Sequence, residues 1–292
     1  MFRNEAMTDG ATGVEDFHGP VRVSEPPGTA SLAWGEILRD VIGSREIAWA
    51  LAAREIKVRY KHSILGIGWA LFAPLVATVI FTLVFTRAIN LDTGDVPYPL
   101  FAYIGLVPWT FFATGLLKAT ESLRQHSNLV TRVYFPREAL PISCILSSLV
   151  DCVVAAFLVA CMMAFYGRAP RVGVIALPLV FAAQLALMTG LGLLFAAGNM
   201  FFRDVGLIIQ VIIPLWMWAS SVAYPIPDTG MFRWLNLINP MTPILNAYRD
   251  LILRGTLSAP WSLLTAAAIS FLIAGLALRL FHSWEFKFGE LT

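Results

Sequence analysis

Residues 54–75 read REIKVRYKHSILGIGWALFAPL. Arg54, Lys57, Arg59 and Lys61, with His62 beside them, run straight into a long apolar stretch with no solvated loop between. That junction suits a chain entering a membrane, because the apolar segment can cross hydrocarbon while the cations stay among the headgroups. The composition agrees: 58% of the 292 residues are apolar and 14% charged, and the mean hydropathy is +0.70, far outside the range of soluble domains. A spanning helix needs roughly 20 mostly apolar residues, since each adds about 1.5 Å to cross about 30 Å of hydrocarbon. Segments near Ile64–Thr86, Pro99–Leu117, Pro141–Tyr166, Val174–Met200, Val205–Tyr224 and Trp261–Phe281 meet that requirement. Lipid offers the backbone no partners, and the alternating pattern of a membrane barrel is absent, so the spans are predicted as helices.

The predicted fold is all-α and polytopic. Its parts are a disordered cytoplasmic tail (1–30), an amphipathic interface helix (31–62) and a six-helix transmembrane domain (63–292), with short re-entrant helices between spans five and six. The tail mixes Gly, Pro and charges and lacks the apolar core of a cleavable signal peptide. With an even number of spans both termini share one side. The cations Arg39, Arg45, Lys118, Arg124, Arg132 and Arg137 place that side in the cytoplasm, whereas the loop after span one carries Arg87 against Asp92 and Asp95. Arg168, Arg171, Arg233, Arg249 and Arg254 are then left outside, against the trend.

In the interface helix a step of about 100° per residue puts Arg54, Lys57 and Lys61 on one strip. Trp49, Ala53, Ile56 and Tyr60 form a second strip, and Ile47, Leu51 and Val58 a third. A topology anchor needs only the cations. The second apolar strip points to a helix that also packs on protein or lines an entrance, with Trp49, Arg54, Lys57, Arg59, Tyr60 and Lys61 as its candidate residues. Cys144, Cys152 and Cys161 all fall in span three, where thiols act as small hydrophobes, and no metal site is assigned. Asp151 and Gln184 stand out as intramembrane polar groups, and Asp151 bonds a neighbouring helix, couples an ion, or touches substrate or a polar conduit.

Four stretches together resemble the permease subunits of ABC-2 type exporters of bacterial surface polysaccharides such as O-antigen, capsule and teichoic acid. They are AAREIKVRYKHSILGIGWALFAPL (52–75), NLVTRVYFPREALP (128–141), GLGLLFAAGNMFFRDV (190–205) and NPMTPILNAYRD (239–250), and the likeness covers about residues 36–289. It implies a homodimer joined by two copies of a separate ABC ATPase, acting on a lipid-linked polysaccharide; a drug or small lipid is the alternative cargo. It also implies a coupling segment docking on the ATPase, carried onto Leu129, Val133, Tyr134, Phe135 and Arg137, and an outer gate carried onto Trp234, Asn239, Pro240, Tyr248 and Arg249. A conduit from spans one and five is expected at the dimer interface.

The residues bear on each point independently. Pro136 and Pro141 bracket apolar side chains that want a partner, on the ATPase or on the chain's own bundle. Phe72, Phe81, Phe85, Trp216, Trp218 and Tyr224 offer flat faces to sugar rings, or else pack in the core or face lipid. No phosphate-cradling GxxxxGK[ST] loop occurs in the sequence, so ATP and magnesium are expected on the partner ATPase and no cofactor on this chain. A serine–histidine pair, HExxH or paired-aspartate arrangement is likewise missing from the spans, which points to a transport subunit without catalytic residues. Membrane lipids are expected partners and nucleic acid is not. Small residues Gly190, Gly192, Ala196, Ala197 and Gly198 would let span four approach its neighbours closely, and Pro74 and Pro108 would kink spans one and two.

Overall fold

The computed structural model describes residues 34–61, 66–88, 95–127, 136–226, 236 and 238–285, all within the compact unit 33–292. The predicted tail, 1–30, lies outside the described residues. Two helices, α1 (Trp34–Gly43) and α2 (Arg45–Tyr60), precede the apolar ones. Helix α3 (Trp69–Thr82) is entered through a tight turn at Gly66–Gly68 and continues as a π-helical turn, Leu83–Ala88. There follow α4 (Tyr98–Gln125), α5 (Ala139–Phe165), α6 (Leu177–Phe201, with a tight turn Val172–Ala176 before it) and α7 (Asp204–Trp218). Last come α8 (Met241–Arg249, extended by a π-helical turn Asp250–Arg254) and α9 (Pro260–Glu285).

Among the described residues five helical stretches are long and apolar enough to cross a bilayer: Gly66–Arg87, Tyr98–Gln125, Ala139–Phe165, Val172–Phe201 and Pro260–Trp284. Helix α7 is apolar but has only 15 residues, about 22 Å of helix against about 30 Å of hydrocarbon. The predicted fifth span therefore stops early. Beyond Trp218 the carbonyls of Ala219, Ser221 and Val222 are taken by the side chains of Asn239 and Arg249, so the chain turns where hydropathy predicted more helix. The second span errs the other way, running on to Gln125 where Leu117 was predicted as its end. Charge marks a span's end in hydropathy, yet Lys118 lies 3.6 Å from Glu55, and Glu121 accepts hydrogen bonds from Gln210 and Gln125, each at 2.9 Å. With partners supplied, the helix continues.

Helix α4 is the centre of the bundle. It contacts α3, α5, α6, α7 and α8, and most of its apolar length is buried, whereas little of the first span, Gly66–Arg87, is. Phe112 and Leu116 of α4 meet Leu187 and Met188 of α6 and Ile244 and Leu245 of α8 in the main core, all fully buried. Burying side chains of this size contributes about 1.5–3 kcal/mol each where the reference state is water. Pro74 and Pro108 both lie inside helices. Downstream of the first, threonine hydroxyls bond back to the carbonyls one turn earlier: Thr78 donates to the Pro74 carbonyl at 2.8 Å, Thr82 to Thr78 at 2.7 Å, and Thr86 to Thr82. These hydroxyls, buried or half-buried in an apolar helix, thus stay paired. Helix α6 lies along α9, and a Cβ added at Gly190 would stand 2.8 Å from the Ala274 backbone nitrogen, so the contact needs a residue without one.

Candidate transport site

The interface helix docks by its small residues. Ala48 and Ala52 are buried where α2 packs on α5, and further along the same face come Glu55 and Arg59. Arg59 pairs with Glu55 at 3.0 Å and with Asp151 of α5 at 2.6 Å, and reaches the Ser147 hydroxyl at 3.4 Å. Lys118 of α4 completes an alternating chain of charge, 3.6 Å from Glu55 and 3.3 Å from the Ser148 hydroxyl. The Tyr60 hydroxyl also donates to Asp151. Burial first, then the hydrogen bond to Asp151, raises the Tyr60 pKa, so the phenol remains a donor at neutral pH. The packing face therefore differs from the expected strip of Trp49, Ala53, Ile56 and Tyr60: Trp49 is 61% exposed. Apolar character alone misjudged the face, because α5 presents serines and a carboxylate to α2. Arg54, Lys57 and Lys61 point outward. Beside the charge network lies a cavity of about 300 Å³ with Arg59, Tyr60, Trp69, Pro74, Phe111 and Asp151 among its walls.

Of the coupling residues, Leu129, Val133, Tyr134 and Phe135 lie outside the described residues. Arg137 is half-buried just before α5, followed by a buried Glu138.

At the opposite end of the bundle the proline-rich segment after α7 folds back onto α4 around two polar hubs. Asn239 uses its whole amide. Its nitrogen donates to the Ala219 carbonyl (3.0 Å), the Ser220 hydroxyl (2.9 Å) and the Thr242 hydroxyl (3.1 Å), while its oxygen accepts from the Trp216 indole (2.9 Å) and the Met241 amide (3.1 Å). Arg249 is buried and held by backbone, donating to the carbonyls of Phe101, Ser221 and Val222 and to the Ser221 hydroxyl, with its guanidinium carbon 4.0 Å from the centre of the Phe101 ring. Burial pulls its pKa down to about 9, which still leaves the cation charged at neutral pH. Gly105 gives it room, since a Cβ there would stand 2.6 Å from the Val222 carbonyl and collide with the guanidinium. Tyr248 donates to Gln184 at 2.9 Å, and Gln184 to the Pro108 carbonyl at 2.7 Å. Pro240 is buried, and Trp234 lies outside the described residues.

The six aromatic candidates divide. Phe81 and Phe85 of the first span meet the end of α7: Phe81 sits 5.8 Å from Trp218, Phe85 stacks 6.0 Å from Tyr224 and 5.8 Å from Tyr98, and Phe81 and Phe85 contact edge to face. Trp216 instead turns into the core, 5.1 Å from Phe112, because its indole donor is anchored on Asn239. Phe72 is exposed against Trp69 at 5.4 Å. Around the seam, Val76, Val79, Ile80 and Leu83 of the first span and Leu207, Ile208, Val211 and Leu215 of α7 are exposed.

The profile of ABC-2 type transporters matches residues 47–253. The chain belongs to the ABC-2 type transporter family. It is 28% identical over 257 residues to the O-antigen export system permease protein RfbA of Myxococcus xanthus, covering 87% of this chain and 98% of that protein. An RfbA of Klebsiella pneumoniae is 26% identical over 82% of this chain and 92% of its own length, and the polysialic acid transport protein KpsM of Escherichia coli is 21% identical over 81% and 92%.

The matched region of this ABC-2 membrane protein runs from the interface helix to the turn after α8, so both polar clusters fall inside it. Sequence reasoning missed Glu55 and Gly105, took Lys118 only for a topology cation, and picked out Gln184 as a polar group within a span without its partners Tyr248 and Pro108. Glu55 could have been found from its i,i+4 spacing to Arg59. Gly105 carries no local signal and Lys118 shows only its charge, as their partners lie on other elements. Among the described residues no group of three or more His, Cys, Asp or Glu is placed to hold a metal.

Proposed function

We propose that this ABC-2 chain is the membrane-spanning subunit of an ATP-driven exporter that moves a lipid-linked surface polysaccharide across the bacterial inner membrane. Two copies of the chain form the passage, and two copies of a separate ABC ATPase bind ATP and magnesium and dock against the 128–141 region, with both termini cytoplasmic. One observation carries the reading: the first span and α7 leave apolar faces uncovered and meet through the rings of Phe81, Phe85, Trp218 and Tyr224, as half of an aromatic-lined passage requires. Flat rings hold sugars weakly and repeatedly, and a moving polymer needs sites it can leave. The relatives named for O-antigen export and polysialic acid transport support the substrate class.

Each polar cluster then has a task. The α2 network fixes the interface helix to α4 and α5, so that a push on the cytoplasmic end is passed to the bundle, while Arg54, Lys57 and Lys61 face anionic headgroups or a charged carrier. The Asn239 and Arg249 hubs set the outer segment as a gate. The deciding experiment deletes the gene and assays surface glycan and its lipid-linked precursor: the precursor accumulates on the cytoplasmic side and surface glycan disappears, both restored by the wild-type gene. Unchanged surface glycan would transfer the assignment to a drug or small lipid. Docking is tested separately by charge reversal at Arg137, which lowers copurification of the ATPase.

A further inference from the structure

Two of the cations that oppose the charge bias sit together. Arg168 and Arg171 occupy the connection between α5 and α6, which the proposed orientation places outside, where a cation gains nothing from the cytoplasmic lipid field. Both line one cavity of about 330 Å³, together with Met163, Gly167, Pro170 and Leu253. Its walls are fixed by backbone. Gly167 turns the chain at φ 65° directly after α5, and Gly255 does so at φ 79° after α8; a Cβ on Gly255 would lie 2.6 Å from that of Arg171, so the glycine is what admits the arginine stem. Arg168 is steadied by donating to the Asp95 carbonyl. Among the described residues no carboxylate pairs with either arginine. The acid on the adjacent turn, Asp250, is engaged by Arg254 at 3.3 Å and by the Ser258 amide at 2.8 Å. Beside the cavity Phe165, Val172 and Ile175 are more than 80% exposed, the surface expected of helices in contact with acyl chains.

We propose that this cavity binds the headgroup of an anionic phospholipid of the outer leaflet, with Arg168 and Arg171 sharing its phosphodiester and the neighbouring apolar surface taking the acyl chains. The leaflet rests on the orientation proposed above; the binding itself does not. The test uses the full-length protein in nanodiscs of equal phosphatidylglycerol and phosphatidylcholine, with retained lipids counted by native mass spectrometry. The wild type keeps phosphatidylglycerol preferentially, and Arg168→Gln with Arg171→Gln lowers that retention about 30-fold, the effect of two headgroup-depth cations. Arg254→Gln leaves it unchanged, and the double lysine variant, which keeps both charges should the glutamine variant misfold, retains most of it. Equal retention of the two lipids by the wild type, or an unchanged preference in the glutamine variant, overturns the proposal. So does displacement of the lipid by millimolar inorganic phosphate, which would mark a site for free anions. No transport is measured, so failure here leaves the export reading intact.

Discussion

Asp151 and Arg249 show two ways of keeping a charge inside an apolar protein. Asp151 has a direct counter-ion in Arg59, and both side chains keep about a quarter of their exposure, so the pair is worth less than a fully buried one. Asp151→Asn should lower stability by about 1–2 kcal/mol, seen as a drop of a few degrees in the thermal transition in detergent. A double-mutant cycle with Arg59→Gln should return a non-zero coupling; strict additivity would mean the contact does nothing. Among the described residues Arg249 has no such acid in contact, and it relies on carbonyl dipoles, which need its planar fork of donors. Arg249→Lys should therefore fail to restore the site although it keeps the charge. Gly105→Ala, which intrudes on the same guanidinium, should resemble it, each costing about 1–3 kcal/mol and both reducing export in a complemented deletion strain.

Among the helices, close approach and side-chain bonds to backbone decide more than hydrophobicity, since lipid is as apolar as the helices themselves. Gly190 faces the α9 backbone, whereas a Cβ at Gly192 would meet only the side chains of Ala119, at 3.1 Å, and Ile145, at 3.5 Å. Gly190→Ala should consequently destabilise the protein by about 1–3 kcal/mol and Gly192→Ala by clearly less, an order that paired melting curves can check. The turn from α6 into α7 depends on Asn199, whose side chain joins the Gly206 amide and the Thr120 carbonyl, each at 3.0 Å. That clamp sets where α7 starts, as Asn239 and Arg249 set where it ends.

Taken as a whole, the molecule is covered unevenly: α4 is enclosed while the first span and α7 present apolar faces on one seam. In the homodimer proposed above these faces meet their counterparts. Cysteines placed singly at Val79 or Val211, after replacement of Cys144, Cys152 and Cys161, should give disulfide-linked dimers in membranes, and one at Phe157 of α5, which is 71% exposed, should not. Equal cross-linking at all three positions would remove the support for a specific interface. Trp218→Ala should cut export more than Trp216→Phe, because Trp218 belongs to the seam while Trp216 packs in the core.

What the amino-acid order determined by itself is the chemistry that acts along the chain: apolar runs long enough for a bilayer, the cationic strip of Arg54, Lys57 and Lys61, prolines inside helices and small residues in α6. Those properties depend on composition and on neighbours within a few residues. Only the tertiary structure decided which way each helix faces and where polar groups find partners. It turned α2 by Ala48 and Ala52, sent Trp216 inward while leaving Trp218 on the seam, and ended α7 before the apolar run ended. Arg249 shows why. Its acceptors lie 27, 28 and 148 residues away, and a cation buried away from water goes where such partners are, a position that no local pattern encodes.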